Sequence, residues 1–429
     1  MDPHSPSWQD SLEYAEQTDV GLRRANNQDS KAVMLAASPA AWQQRGHLFM
    51  VADGMGAHAA GELASKLATD TVPLVYQKLS DLPAPEAIRS AVEEANAQIH
   101  SRGQASLDFR GMGTTCSVLV LAPQGAVVAH VGDSRVYRLR GGRYEQLTFD
   151  HSLVWEMRAQ GQFRGDVPDY IPKNVITRSL GPNPTVQVDL EGPFPLVVGD
   201  TFLLCSDGLS GPVKDDEMGA ILTCLSPAEA VRFLVHLACL RGGPDNITVI
   251  VARVAGEGLT AAREGNGDRV RLPNRSRPVH PLLWTLLAVF GVLGVGLLAV
   301  GAGQPHNALL WAALGSFIVA ALAGVVAWFQ ASRPMDSLIT TPGQQLGRAP
   351  YTATAATPHP DLVDRFRAIA EDLREATEKE GWSVDWQQFN GHAERAATAA
   401  KDGDATQAIR EYCLAISFMM DELKKQNRD

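Results

Sequence analysis

Aspartates recur at the ends of apolar runs, where a sheet protein can bring acids from distant parts of the chain to one point. HLFMVADG sets Asp53 and Gly54 after one such run, and TFLLCSDG sets Asp207 and Gly208 after another. AHVGDSR carries Asp133 between two runs, and GGPDNITVIVARV carries Asp245 just before one. Taken singly, each has a plain structural explanation: Asp-Gly is a strong hairpin-turn signal, and Asp133 suits the turn of GDSR. Taken together, four strand-end carboxylates on one sheet system would make a site of hard oxygen donors. Such a site selects magnesium or manganese over zinc.

The elements that must position these acids read as short strands and paired helices. Strands are predicted over His47–Ala52, Cys116–Ala122, Ala126–Val131, Arg135–Arg140, Asp200–Cys205 and Ile247–Val254. Gly61–Leu79 and Pro85–Ser101 carry helical periodicity, and Ser226-Pro227-Ala228-Glu229 opens a third helix with a capping box and an early proline. Strands arrive in hairpin-like runs and helices in pairs. That pattern predicts an α+β fold of antiparallel sheets covered by helices, not an alternating βαβ fold.

At 429 residues the chain should divide into two or three units. A net charge of −10 excludes the basic face that nucleic acid requires. The five cysteines (Cys116, Cys205, Cys224, Cys239 and Cys413) form no CxxC pair, which excludes a disulfide framework and a thiolate zinc site and suits a reducing compartment. The N-terminal MDPHSPSWQDSLEY is polar and acidic, unlike a secretory signal. Between Arg277 and Arg333 no Asp, Glu, Lys or Arg occurs. Two apolar runs in that gap, Pro281–Gly303 and Ala308–Phe329, are each near the ~20 residues that span a bilayer. Trp284, Trp311 and Trp328 lie near the run ends, and the runs are expected to form a transmembrane hairpin; the alternative is a helical pair buried in a soluble core. Arg263, Arg269, Arg271, Arg275 and Arg277 precede the runs and Arg333 follows them, which puts both ends of the hairpin in the cytoplasm.

The expected plan is therefore a catalytic domain over 1–255, a linker over 256–280, a two-helix membrane hairpin over 281–329, a linker over 330–360 and a small helical domain over 361–429. Within the last, Ala396–Leu423 looks like part of a tetratricopeptide hairpin; a plain three-helix bundle fits equally, and a protein partner is expected there.

TDVGLRRANNQD, MVADGMGAHAAGE, MGTTCSVLV, VGDSR, LTFDHS, VITRSLG, LLCSDGL and GGPDNITV occur in an order that resembles bacterial PPM (type 2C) protein phosphatases, from about Tyr14 to Val254. The resemblance implies a β-sandwich of two antiparallel sheets flanked by helices, and metal-dependent hydrolysis of phosphoserine and phosphothreonine in proteins; the expected hairpin would put that activity at the cytoplasmic face of a membrane. It implies two Mn2+ or Mg2+ ions, with a third in bacterial members. Asp53 would bridge the pair, the Gly54 carbonyl would complete the second site, and Asp207 and Asp245 would hold the first. Asp133, with Asp207, would hold the third ion. Arg24 would grip the substrate phosphate and Asp29 would orient metal-bound waters, for attack on phosphorus by a metal-bridging hydroxide. A cognate serine/threonine kinase is the implied opposing enzyme.

Two positions depart from the pattern of that family. Gln28 stands where many members carry glutamate and is expected to weaken the second metal site. Ala57 replaces a usual glycine. The Met55 position holds a histidine in eukaryotic relatives that bacterial members lack, so neighbouring His58 is expected to be structural and is not promoted to its role. Trp155–Lys173 aligns with the family's variable flap. The alternative function is a catalytically weak domain of this type serving as a membrane-tethered phosphoprotein-binding module.

Overall fold

Two antiparallel sheets face each other, and the polarity of their strands explains which lie inside. The computed structural model describes residues 8–56, 59–163, 174–260 and 346–426, with short stretches at 167–168, 171–172, 289–290, 292–295, 297–299 and 311–321. The strands are β1 (Leu12–Asp19), β2 (Asp29–Met34), β3 (His47–Met55), β4 (Gly113–Thr114), β5 (Cys116–Ala122), β6 (Gly125–Val131), β7 (Arg135–Arg140), β8 (Arg143–Gln146), β9 (Asp189–Phe194), β10 (Thr201–Cys205), β11 (Ile247–Val254) and β12 (Thr352–Ala355). One sheet runs β1-β11-β10-β7-β8-β12 and the other β2-β3-β5-β6-β9, with β4 paired to β3. In β5 and β6 every residue is buried. These are covered on one face by the opposite sheet and on the other by helices, so their sequences are apolar save for Ser117 and His130, whose side chains bond each other at 2.9 Å. At the edge, β1 alternates between exposed and half-buried residues.

The helices are α1 (Pro39–Arg45), α2 (Ala60–Lys78), α3 (Ala84–Ala105), α4 (Leu153–Ala159), α5 (Asp207–Ser210), α6 (Asp215–Cys224), α7 (Pro227–Leu240), α8 (Pro360–Glu380), α9 (Trp386–Lys401) and α10 (Ala405–Gln426). The capping box at α7 forms as its sequence predicts: Ser226 N donates to Glu229 Oε2 at 2.9 Å, while Glu229 N donates back to Ser226 Oγ at 3.4 Å. Helices α2 and α3 cover the β2-β3-β5-β6-β9 sheet, and α6 and α7 cover the other. Between the sheets, Phe49, Val51, Leu119, Leu121, Phe202, Leu204 and Ile250 form one apolar cluster, which also takes in Leu259 and Ala349.

The C-terminal part departs from the expected plan in two ways. The segment read as a linker over 330–360 contributes β12, which pairs antiparallel with β8 and extends the sheet. The described residues of the expected domain over 361–429 form α8, α9 and α10 but do not make a core of their own. Leu362, Val363, Phe366, Ile409 and Ile416 join Phe233, Leu234, Leu222, Leu203 and Val251 in a single cluster. Phe366 meets Phe233 edge-on, with ring centroids 5.4 Å apart. The physical reason is that α6 and α7 are apolar on two faces, one toward the sheet and one toward α8 and α10. Residues 1–263 and 345–429 accordingly form one compact unit.

Residues 264–344 form a second unit, of which the described parts over 289–299 and 311–321 are helical. No helix of the described residues is long and apolar enough to cross a membrane. Most of the expected hairpin over 281–329, with its flanking arginines, lies outside the described residues.

Because the C-terminal helices share the catalytic domain's core, Phe366→Ala should destabilise the whole of that unit by about 3–5 kcal/mol. Urea unfolding of the full chain, followed by circular dichroism and by activity, should show both signals moving together to lower denaturant. A separate helical domain would shift the helical signal alone.

Candidate active site

Strand register, not sequence proximity, gathers the acids. Asp29 opens β2 directly opposite Asp53 near the end of β3. In the other sheet, Asp19 pairs with Ile247, Cys205 with Val249, and Arg135 with Cys205. The ends of the strands next to Asp245, Asp207 and Asp133 therefore lie side by side on one rim. The hairpin alternative fails at both Asp-Gly pairs. At Asp53-Gly54 the strand continues to Met55 and pairs with β4, and at Asp207-Gly208 the chain turns into α5.

The main chain at Asp53 is fixed on both sides. Its N–H donates to Thr115 Oγ1 at 2.8 Å, and its carbonyl accepts from Thr115 N at 2.8 Å and from Thr114 Oγ1 at 2.9 Å. Thr115 Oγ1 is in turn 2.7 Å from Ser134 Oγ, beside Asp133. A side chain at Gly54 would strike the carbonyls of Gly61 and Gln28, so α2 can press on this strand only where it is bare. Gln28 lends its main chain to the same corner: its carbonyl accepts from Gly54 N at 3.1 Å and from Ser65 Oγ at 2.5 Å.

Of the acids, two have short hydrogen bonds to neighbouring side chains. Asp29 Oδ2 accepts from Ser206 Oγ at 2.7 Å, and Asp245 Oδ2 accepts from Arg24 Nη2 at 2.6 Å. The Arg24 side chain is half exposed, with its guanidinium over the rim. Three buried carboxylate oxygens, Asp29 Oδ1, Asp133 Oδ1 and Asp207 Oδ1, have no hydrogen-bond partner at all. Burial pushes Asp29 up to about 7, despite the bond from Ser206, and Asp207 and Asp245 push the same way. Asp133 is likewise raised to about 7, by burial and then by Asp207. Asp53 is held well above the usual carboxylate range by burial and by Asp29, Asp207, Asp133 and Asp245 around it, and Asp207 is raised by burial and Asp245. The acids are close enough to feel one another strongly. Among the described residues, however, no three histidine, cysteine, aspartate or glutamate side chains stand ready-made around one ion.

The donor set still fits hard divalent ions. It consists of carboxylate oxygens, three of them orphaned in a buried setting where an unpaired acceptor is costly. All seven residues expected at the site (Arg24, Asp29, Asp53, Gly54, Asp133, Asp207 and Asp245) are brought to this rim. Sequence reading missed the residues that align them. Asn246 accepts from Gln28 N at 2.8 Å and donates to Val20 O at 2.9 Å and Asn26 O at 3.0 Å, joining two loops. Thr115, Ser134 and Ser206 do similar work; the available signal was polar residues interrupting otherwise apolar strand ends. Behind Asp133, Arg135 Nε donates to both oxygens of Asp150, at 3.1 and 2.8 Å, and Tyr137 OH donates to Asp215 at 3.1 Å. In the flap, Arg158 stacks on Phe163 at 5.4 Å; His58, Ala57 and Arg164 lie outside the described residues.

A family model described as protein phosphatase 2C matches residues 22–235. Protein phosphatase PhpP of Streptococcus pneumoniae is 38% identical over 246 residues, which cover 56% of this chain and 96% of that protein. The solved serine/threonine phosphatase of S. agalactiae is 34% identical, covers 57% of this chain and 99% of its own, and superposes with a TM-score of 0.50. The catalytic domain of PstP, a phosphatase of Mycobacterium tuberculosis, was solved with two manganese ions; it is 36% identical over 57% of this chain and 99% of its own, with a TM-score of 0.48.

The unshielded acids make a pH prediction for metal-free protein. Asp133 titrates near 7 when folded against 3.8 when free, so its contribution to stability is complete below pH 3.8 and is lost as pH rises through about 7. His130 and His47, lowered by burial to about 3 and about 4, act in the opposite direction but equally in wild type and variant. In EDTA, Asp133→Asn should therefore melt above wild type at pH 8, with the advantage shrinking toward pH 4. Manganese at neutral pH should reverse the order. Parallel melting curves at all pH values would show that Asp133 is not under this strain.

Proposed function

This chain belongs to the protein phosphatase 2C family and is a protein serine/threonine phosphatase, and from that premise we propose that it hydrolyses phosphoserine and phosphothreonine with two divalent ions, manganese or magnesium, held at the carboxylate rim. The observation that carries the metal reading is the set of three orphaned, buried carboxylate oxygens on Asp29, Asp133 and Asp207. When bound, the two ions supply an acidified water that can attack phosphorus in line, and positive charge for the phosphoryl oxygens.

The chain's own residues set the geometry. Asp53 lies amid Asp29, Asp133, Asp207 and Asp245 and would serve both ions, Asp207 and Asp245 would hold the first, and the Gly54 carbonyl would complete the second. Asp133, with Asp207, offers a further position for a third ion. Asp29, steadied by the hydrogen bond from Ser206, would accept a hydrogen bond from an attacking water. Arg24 bonds Asp245 in the structure, so engagement of Asp245 elsewhere would free a planar guanidinium for two oxygens of a phosphate.

We further propose that residues 281–329 anchor the chain in a membrane, with its phosphoprotein substrates and an opposing serine/threonine kinase at the cytoplasmic face. The uncharged stretch between Arg277 and Arg333 supports this, as do the exposed Val292, Val295, Trp311 and Ile318.

Two measurements test these readings. The full chain should release phosphate from a phosphothreonine peptide with manganese, lose that activity in EDTA, and drop by orders of magnitude in Asp207→Asn. Metal-independent turnover in that variant would sink the mechanism. Single cysteines introduced at Ser5 and Asn427 should both be labelled from the cytoplasmic side; labelling from opposite sides would refute the hairpin.

A further inference from the structure

We propose, on the reading that Arg24 grips the substrate phosphate beside Asp245, that the C-terminal helices brace this corner of the site and that Lys424 is a positioning residue for it. The argument begins at Asp19, the last residue of β1, on the same rim as the acids. Its Oδ2 accepts from Lys424 Nζ of α10 at 2.7 Å, and its Oδ1 accepts from Gly21 N at 2.9 Å. One carboxylate thus joins α10 to the turn that starts the loop carrying Arg24. Gly21 has φ 76°, and a side chain there would run into the carbonyls of Gly243 and Asp245. The loop therefore lies directly on the segment that carries Asp245, and Leu22 N donates to Gly243 O at 2.9 Å.

A second strut reaches that segment independently. Arg365 of α8 meets Glu217 Oε1 at 3.3 Å. Glu217 in turn holds Arg241 through bonds of 2.7 and 2.8 Å. Arg241 caps α7 and leads into Gly242-Gly243-Pro244-Asp245. The two loops whose tips form the Arg24–Asp245 pair are thus each held from behind by a C-terminal helix. Ion pairs Arg232–Asp421 and Arg410–Glu229 also tie α10 to α7, along that helix itself. The Lys424–Asp19 and Arg365–Glu217–Arg241 links differ in meeting the chain at the feet of the loops that carry the phosphate-facing groups.

The pair Lys424–Asp19 is partly shielded, with the side chains 35% and 20% exposed, so its loss should have a modest but readable effect. The test uses the full chain, a phosphothreonine peptide and manganese. Lys424→Met should raise KM roughly three- to fivefold, and the inhibition constant of inorganic phosphate in parallel, with kcat little changed. Lys424→Arg should restore both, and Lys425→Met, one residue along, should leave both alone. An unchanged KM in Lys424→Met would overturn the proposal. So would a fall in kcat and melting temperature together that Lys424→Arg fails to repair. Arg24→Met in the same assay separates the layers. If it leaves KM and phosphate inhibition untouched, the phosphate-gripping reading itself is overturned, whereas an effect at Arg24 with none at Lys424 overturns the brace alone.

Discussion

Mutual repulsion among carboxylates is the constraint around which this molecule is arranged. Asp29, Asp53, Asp133, Asp207 and Asp245 come from five separate stretches of chain and end on one rim, where burial and then the neighbouring acids keep Asp29, Asp53, Asp133 and Asp207 from ionising easily. The protein's own compensation is partial: a serine hydroxyl for Asp29 and an arginine for Asp245. An apolar rim of similar volume would be the more stable solution. What remains uncompensated is a standing demand for positive charge, and that demand is the basis of the metal reading.

Holding such a set together requires rigidity placed elsewhere. The cluster between the sheets fixes strand register, and register alone puts Asp29 across from Asp53. A slip of one residue would turn one of these carboxylates away from the rim. Behind the rim, satisfied polar groups carry the load: Thr115 with Ser134 on one side, and Arg135 with Asp150 and Tyr137 on the other. The outer cluster, in which α8 and α10 meet α6 and α7, adds a third layer that reaches the rim through charged side chains.

Much of this was legible in the sequence, and the exceptions follow a physical pattern. Strands covered on both faces, such as β5 and β11, show themselves as mainly apolar runs, and their limits are legible to the residue. Strand β1 (LEYAEQTD) was not read because an edge strand has little apolar content to reveal it. Strand β9 was hidden by its Gly192-Pro193 pair, and the residues of β12 resembled a linker. The acids of the site were legible because chemistry restricts residue type at those positions. Asn246 and Ser206 were not, since their role is to join distant backbone segments and nothing local marks it. The helical character of residues 361–426 was clear from periodicity. Where they dock was not, because a helix with one apolar face looks the same whether it covers its own neighbours or another layer.

Leu259 and Ala349 lie in one apolar cluster, so the chain between them departs from the folded unit and is taken back into it. In polymer terms, the core closes a loop of chain at Leu259 and Ala349. The entropy of closing such a loop grows only with the logarithm of its length, so doubling it would cost about 0.6 kcal/mol. The excursion can therefore lengthen, shorten or change in character with little effect on the stability of the sandwich. Any load drawn through it would enter by two chain ends that converge on that inter-sheet cluster, and would be borne by packed side chains instead of by the loops that hold the acids.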